Sequence, residues 1–524
     1  MSTTTDGLLL SPHAAPAPLA GGATTLQSIS RRLETVGQGH LLRFYDQLDD
    51  ERKRGLLAQI GELDLEGLPK LIHDYVINKP AFVLPPEIQP AEYYPRDARR
   101  SGRAWNEASF RSRGEQMLRD GRVAAFVVAG GQGSRLGYEG PKGCYPAGAV
   151  TNKPLFAVFA EAILGAQDRY GVKGGIPWYV MTSPLNHRQT VEFFEANRYF
   201  GLNRADVMFF PQGVMPSLDI KTGKVLLASR HEVATNPDGH GGSLKALQVS
   251  GALADMRRRG VEAISYFQVD NPIVNLLDPV FLGLHAAAED SSAQMSSKMV
   301  AKASAEEKVG LFCMAGAGAR KGRVEIVEYS DLPMEYQRQT NPDGTLKFNA
   351  GSIAIHIIST AFVERLNTDP TFALPYHRAE KKIACVDPNT GESVAPAVNN
   401  GVKLERFVFD ALALCDKSIV YETDRLEEFA PIKNADASPG QAMASDSAAS
   451  CRVIQTIRAA RWLESLGVAV PRRAGLPGEP TFPGSRESPD CVLEISARTA
   501  TCAKELSRAA KLPKAIDRGQ RLAL

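Results

Sequence analysis

Hydrophobic residues recur along this chain in two patterns that predict different elements. From Leu26 to about Asn78, stretches such as LLRFYDQL (41–48) and LIHDYVI (71–77) space apolar residues three and four apart with charged residues between them, which predicts amphipathic helices. Between about 105 and 430 the pattern changes. Short apolar runs, AAFVVA (124–129), PWYVMTS (177–183), AISYFQV (263–269), SSKMVA (296–301) and IAIHIIS (353–359), alternate with longer helix-period stretches such as LFAVFAEAILGAQDRY (155–170), HRQTVEFFEANRYF (187–200) and SLKALQVSGALADMRRR (243–259). Strands alternating with helices predict an α/β fold with a mostly parallel sheet covered by helices.

Breaks in the pattern divide the chain. Residues 1–25 are rich in Ala, Pro, Gly and Thr and bury little, so they are expected to form a disordered lead. KPAFVLPPEIQPAEYYPRDA (79–98) holds five prolines, each removing an amide donor and restricting its predecessor, and reads as an extended linker. The expected units are a helical domain with its linker (26–104), a main α/β domain (105–435) and a C-terminal piece (436–524) carrying a short helix at 448–466.

Composition narrows the function. Lys and Arg exceed Asp and Glu by two, and no basic tract is interleaved with aromatics, so the usual nucleic-acid footprint is missing. No stretch reaches about 18 uninterrupted apolar residues, and the first residues lack a basic segment before an apolar one. The expectation is a cytoplasmic chain without a membrane anchor. Seven cysteines lie far apart with no CxxC pair, against both a disulfide framework and a thiolate zinc site.

The chemistry is concentrated after the first strand. AAFVVAGGQGSRLGYEGPKG (124–143) places Gly130, Gly131 and Gly133 directly behind an apolar run, with Arg135 and Lys142 close by. Glycines there let backbone amides converge on a phosphate, since no Cβ blocks the approach. A Walker A loop is a poor match because Lys142 is followed by Gly143 rather than Ser or Thr. A dinucleotide fingerprint is a poor match because Leu136 stands at the third glycine position. A bare connecting turn has no use for two cations, whereas a triphosphate does.

GGQGSRLGYEGPKG resembles the signature of the eukaryotic-type UDP-sugar pyrophosphorylases, and the chain is most similar to their UDP-N-acetylglucosamine branch. GQGHLLRFYDQL, MTSPLNHRQTVEFFEANRYFGL, FFPQGVMPSLD, ATNPDGHGGSLKAL, FQVDNPIV, VEIVEYSDLP, FNAGSIAIH, KLERFVFDAL and EEFAPIKNAD follow in the family's order over about residues 30–440. The resemblance implies a Rossmann-like nucleotide-diphospho-sugar transferase core between an N-terminal helical domain and a small β-rich C-terminal one. It implies formation of a UDP-sugar and pyrophosphate from UTP and a sugar 1-phosphate, with Mg2+ or Mn2+ as cofactor, small molecules as the only partners and no oligomeric state specified. The attacking group is a phosphate monoester, largely dianionic near neutral pH, so no general base is required. The site must instead hold two polyanions in line and neutralise the transferring group.

Residue by residue, the resemblance implies Gly130, Gly131 and Gly133 against the nucleotide, Arg135 and Lys142 on the triphosphate, and Gln212 and Gly239 reading uracil. Asp270, behind the apolar run AISYFQV, becomes the metal ligand, with Asn271 beside it. Gly310, Glu328 and Asn349 bind the hexose, and Phe407 and Phe409 line the N-acetyl pocket. Lys403 and Lys433 bind phosphate, with Lys433 on the transferring group. One departure bears on the sugar. The acetylglucosamine branch usually carries Asn where this chain has His240, and Gly-His-Gly is more typical of the glucose and broad-specificity branches. N-acetylglucosamine 1-phosphate is favoured; glucose 1-phosphate or a wider range is the alternative. A catalytically silent nucleotide-sugar binder and a nicotinamide-dependent oxidoreductase are the readings from other classes.

Overall fold

A computed structural model describes residues 26–79, 83–100, 103–369, 374–509 and 511–524; the expected N-terminal lead lies outside the described residues. The described residues divide into two compact units, the smaller formed by 26–79, 216–236 and 378–403 and the larger by the others.

The larger unit is built on one mixed sheet of ten strands. In chain order these are β1 (Gln89–Pro90), β2 (Val123–Val128), β3 (Trp178–Thr182), β4 (Val207–Pro211), β5 (Ala263–Gln268), β6 (Met295–Ala301), β7 (Leu311–Met314), β8 (Val324–Val327), β9 (Ala350–Ser359) and β10 (Val420–Thr423). The spatial order is β1-β7-β9-β5-β2-β3-β4, with β6 pairing β9 and β10, and β8 pairing β7. The pairs β5–β2, β2–β3, β3–β4 and β6–β10 are parallel. The pairs β5–β9, β6–β9, β7–β8, β7–β9 and β1–β7 are antiparallel. The sheet is therefore mixed but not mostly parallel. A continuous apolar run shows that a strand is covered on both faces and carries no information on the direction of its neighbour.

Side chains alternate between two apolar layers. Val123, Ala125 and Val127 of β2 and Trp178 and Val180 of β3 face one layer, while Ala124, Phe126, Tyr179 and Met181 face the other. The first layer is completed by helices α1 (Glu107–Arg119), α2 (Leu155–Tyr170), α3 (His187–Ala196) and, further along, α6 (Pro279–Ala287). The second is completed by α4 (Gly242–Val249), α5 (Ala252–Arg258) and α7 (Thr360–Thr368). The predicted single helix at 243–259 is two helices, because Gly251 adopts φ +81° between them. Helix α8 (Ala448–Ser465) starts at a Ser447/Ser450 capping box. After it come two two-stranded sheets, 472–474 with 487–489 and 492–494 with 521–523.

Helices α1 and α6 cross in backbone contact. A Cβ on Gly114 would lie 1.8 Å from the Pro279 carbonyl oxygen, and one on Gly283 would lie 1.8 Å from that of Phe110. The described part of the proline-rich stretch is no linker. β1 pairs with β7, and Tyr94 exchanges backbone hydrogen bonds with Val420 and Glu422 of β10. Proline suits this edge position, where one side of the strand needs no amide donor.

The smaller unit contains helices Leu26–Thr35, Asp50–Gly61 and Leu68–Ile72. Residues 26–104 do not form one domain, since the helices recruit chain from 216–236 and 378–403. The Gln38 side chain accepts from Val225 N–H (2.9 Å), the Gln59 side chain accepts from Val233 N–H (2.9 Å), and Arg230 donates to the Thr390 carbonyl (3.1 Å). Such non-local bonds leave no trace in a hydropathy pattern. All seven cysteines are free. Among the described residues, no helix is long and apolar enough to cross a membrane.

Candidate active site

Four neighbouring parallel strands deliver the predicted residues to one edge. The glycine turn follows β2, Ser183 follows β3, Gln212 follows β4 and Asp270 follows β5, all at carboxyl ends. In an open α/β sheet this edge forms the ligand crevice. The turn is closed by its own backbone, with Lys142 N–H donating to the Gly131 carbonyl (3.0 Å) and Gly133 N–H to that of Gly140 (3.0 Å). Asn186 holds it from outside, donating to the carbonyls of Ala129 (3.0 Å) and Gly131 (3.2 Å) and accepting from Ser183 N–H (2.8 Å).

Each glycine has its own reason. A Cβ on Gly130 would stand 2.7 Å from Gln212 Oε1, so the turn packs directly on the amide expected to read uracil. A Cβ on Gly133 would meet Tyr138, whereas Gly131 faces open space, where a ligand can approach the backbone. Gly143 abuts the Phe156 ring, which holds Lys142 in place.

The charged groups converge here. Lys142 Nζ lies 3.7 Å from Asp270 Oδ2, both side chains being 15% exposed. Burial lowers the Lys142 ammonium below the usual lysine range; Asp270 opposes this, and nearby Lys433 and Arg135 add to it. Three neighbouring cations, one of them paired with a carboxylate, suit a polyanion, which would relieve their mutual repulsion. Lys433 reaches the same place from another direction. Ile432 N–H donates to the Asp270 carbonyl (2.8 Å), and Lys433 and Asn434 donate to that of Asp446 (2.6 and 2.9 Å).

A second group adjoins the first. Gln212 is followed by Gly213, whose carbonyl accepts from Asp238 N–H (3.2 Å). Gly239 (φ +84°) and Gly241 then lie flat on the Arg406–Phe407 backbone, where a Cβ on Gly239 would come within 2.3 Å of the Arg406 carbonyl. His240 stacks on Phe407 (centroids 5.1 Å apart, 13° between planes), and His377 stacks on Phe407 too (4.2 Å, 26°). Phe409 closes against both His240 and Phe407 (5.7 and 5.1 Å). His377 Nε2 is 2.8 Å from Asp410 Oδ2. Gly310 and Glu328 join from the ends of β7 and β8: a Cβ on Gly310 would be 3.1 Å from Glu328 Oε1. Burial raises the Glu328 carboxyl, as does neighbouring Asp331, while His377 lowers it. Asn349 precedes β9, and its amide is 3.4 Å from the Tyr93 hydroxyl.

Lys403 belongs to the smaller unit, on the strand Gly401–Glu405. Asn271 is buried, its amide donating to the Glu428 carbonyl (2.6 Å) and accepting from Ala430 N–H (3.1 Å). Phe407 immediately precedes a 3₁₀ helix (Val408–Leu414) and Phe409 lies in its first turn. Sequence reasoning did not single out Asn186, Asp238, His377 or Asp446. Asn186 and Asp238 lie inside quoted motifs; the other two carry no local signal. Burial pushes the Asp238 carboxyl up to about 6 despite Arg406, and burial also raises Asp446 against the pull of Lys433.

Among the described residues no group of three or more His, Cys, Asp or Glu side chains could hold a metal by itself. A single carboxylate beside Lys142 still fits Mg2+, which keeps waters and takes its remaining ligands from substrate phosphates.

A profile of the UTP–glucose-1-phosphate uridylyltransferase family matches residues 103–448. UDP-N-acetylhexosamine pyrophosphorylase-like protein 1 of Homo sapiens is 35% identical, covering 90% of this chain and 92% of its own length. The UDP-N-acetylglucosamine pyrophosphorylase of Saccharomyces cerevisiae is 34% identical, covering 70% and 75%. Among solved structures, the Trypanosoma brucei uridine diphosphate N-acetylglucosamine pyrophosphorylase superposes with a TM-score of 0.75 at 25% identity, over 95% of this chain and 99% of that one.

Proposed function

Because this chain belongs to the UTP–glucose-1-phosphate uridylyltransferase family, we propose that it transfers the uridylyl group of UTP to N-acetylglucosamine 1-phosphate, yielding UDP-N-acetylglucosamine and pyrophosphate. The sugar-phosphate oxygen attacks the α-phosphorus of UTP, and the bond from that phosphorus to the β-phosphate oxygen breaks as pyrophosphate leaves. The observation that carries this reading is the grouping of Arg135 and Lys433 about Lys142, which pairs with Asp270, at the edge where Gly130 meets Gln212. Three neighbouring cations offset the charge of two polyanions and of the transferring group, which is the main demand of phosphoryl chemistry. Bound with phosphate oxygens at Asp270, Mg2+ or Mn2+ would supply further neutralisation of the triphosphate. The aromatic-lined recess of His240, Phe407, Phe409 and His377, continuous with the uracil side through Asp238 and Gly213, is where the sugar belongs.

A second reading, transfer to glucose 1-phosphate or to several sugar 1-phosphates, is favoured by His240 alone. Pyrophosphate release from UTP with N-acetylglucosamine, N-acetylgalactosamine and glucose 1-phosphates distinguishes the two. The highest kcat/KM is expected with N-acetylglucosamine 1-phosphate; preference for glucose 1-phosphate would establish the second reading, and release with none would refute both. Lys433→Ala should lower kcat by about 10² or more with smaller changes in KM.

A further inference from the structure

Lys433 has to be held in place by something other than its own secondary structure. Residues 429–433 form neither helix nor strand, and the lysine side chain is exposed. An irregular segment samples many conformations unless distant groups restrain it, so the restraints identify what positions the lysine. Both sides of the Asn271 amide grip this segment, at the Glu428 carbonyl (2.6 Å) and the Ala430 N–H (3.1 Å), and the adjacent Asp270 carbonyl takes the Ile432 N–H (2.8 Å). Two consecutive residues behind β5 thus fasten three points of the segment, the last of them next to Lys433.

The far end of the segment is anchored in the sheet. Both Glu428 carboxylate oxygens accept from Lys298 Nζ at 2.7 Å, and Thr423 of β10 donates to one of them (2.7 Å). Lys298, on β6, is fully buried and also pairs with Asp278 (2.8 Å), the residue that caps α6. Burial alone would lower the Lys298 ammonium, but the flanking carboxylates outweigh it and hold it above the ordinary lysine range.

We infer that Asn271 is a positioning residue: it clamps residues 428–430 so that Lys433 is delivered, preorganised, to the transferring group beside Asp270. This rests on the proposed uridylyl transfer and on the role given there to Lys433. A 1 Å displacement of a catalytic group is enough for large losses in rate.

The test uses the full chain and the variants Asn271→Ala, Asn271→Asp, Lys433→Ala and the double variant Asn271→Ala/Lys433→Ala. Asn271→Asp keeps an acceptor for Ala430 N–H, removes the donor and adds a charge, and the urea midpoint of each variant guards against simple misfolding. Both Asn271 variants should lower kcat by about tenfold or more while leaving KM for UTP and the sugar phosphate within about twofold. On the Lys433→Ala background, adding Asn271→Ala should cost about twofold at most, since the clamp acts through the missing lysine. Hydrogen exchange at the Ala430 amide should accelerate about tenfold in Asn271→Ala, while that of Lys142 stays constant. A raised KM with unchanged kcat would make Asn271 a substrate contact and overturn the inference. Multiplicative losses in the double variant, or unaltered exchange at Ala430, would overturn it as well. Absence of pyrophosphate release by the unsubstituted chain would instead refute the proposed function. In that event exchange decides for the clamp: faster exchange at Ala430 supports it and unchanged exchange refutes it.

Discussion

Replacing His240 with Asn probes the one motif position at which this chain departs from the acetylglucosamine branch. His240 Nδ1 accepts a hydrogen bond from Val408 N–H at 3.1 Å, so in the neutral ring the proton resides on Nε2, leaving one donor for the recess. Burial, reinforced by His377, pushes the imidazole down to about 4, so this neutral form prevails across the working range of pH. The ring cannot swing aside, because it stacks on Phe407 and is flanked by Gly239 and Gly241, themselves pressed on the Arg406–Phe407 backbone. In His240→Asn the shorter amide can still accept from Val408 N–H but no longer reaches as far with a donor. Loss of the stack, about 0.5–1.5 kcal/mol, affects both sugars alike and cancels in their ratio. A hydrogen bond to one sugar and not the other leaves a difference of about 1–3 kcal/mol. The kcat/KM ratio for N-acetylglucosamine 1-phosphate over glucose 1-phosphate should therefore change about tenfold, measured by pyrophosphate release with each sugar as sole acceptor. In the unsubstituted chain the ratio should stay flat between about pH 6 and 9. An unchanged ratio in the variant would remove His240 from specificity, and a ratio that titrates near pH 6.5 would refute the fixed neutral donor.

Because the Lys142 ammonium is held below the lysine range, kcat/KM should fall on the alkaline side as that proton is lost, at a lower pH than an ordinary lysine would give; Lys142→Arg should move the limb to higher pH, and an unmoved limb would assign it to another group. Gly114→Ala should destabilise by about 3 kcal/mol or more, because its methyl would meet the Pro279 carbonyl oxygen at 1.8 Å where helices α1 and α6 touch; a urea midpoint equal to that of the parent would contradict the close crossing. His285 and His356, buried and pushed down to about 4 and about 3, bind fewer protons folded than unfolded, where the pKa is about 6.5. Their contribution is fully present above about pH 6.5 and is lost as pH falls through the window toward 4, at about 3 kcal/mol per pH unit for the pair. Guanidinium denaturation at pH 7, 6 and 5 should show this slope, and His356→Gln should reduce it by about half.

The phosphate-binding half of the site was legible because its parts are local. A strand, a glycine turn and two cations lie within twenty residues, and the carboxylate of Asp270 directly follows an apolar run, so chain order alone places them at strand ends. The recess around the sugar was legible only as a list. Nothing in the spacing of His240, His377 and Phe407 shows that two imidazoles stack on one phenyl ring, because those three come from separate segments of the chain. Asn271 illustrates the same limit. Its neighbour Asp270 marks the spot, yet the partners of its amide lie 157 and 159 residues away.

What the amino-acid order determined by itself is what is set within a few residues: strands β2, β3, β5, β6 and β9 and the helices between them, which glycines can approach a phosphate, and which family the serial motifs resemble. Tertiary structure decided strand direction in half of the sheet, the recruitment of 216–236 and 378–403 into the helical unit, and the partner of each buried polar group. The physical reason is that propensity and hydropathy act over one turn or one strand. Ladders, ion pairs and ring stacks are settled by whichever distant group satisfies a buried donor, acceptor or face. Lys298 is the clearest case: its sequence context reads as a lysine behind two serines in a strand, and only Asp278 and Glu428, brought in by the fold, make its burial possible.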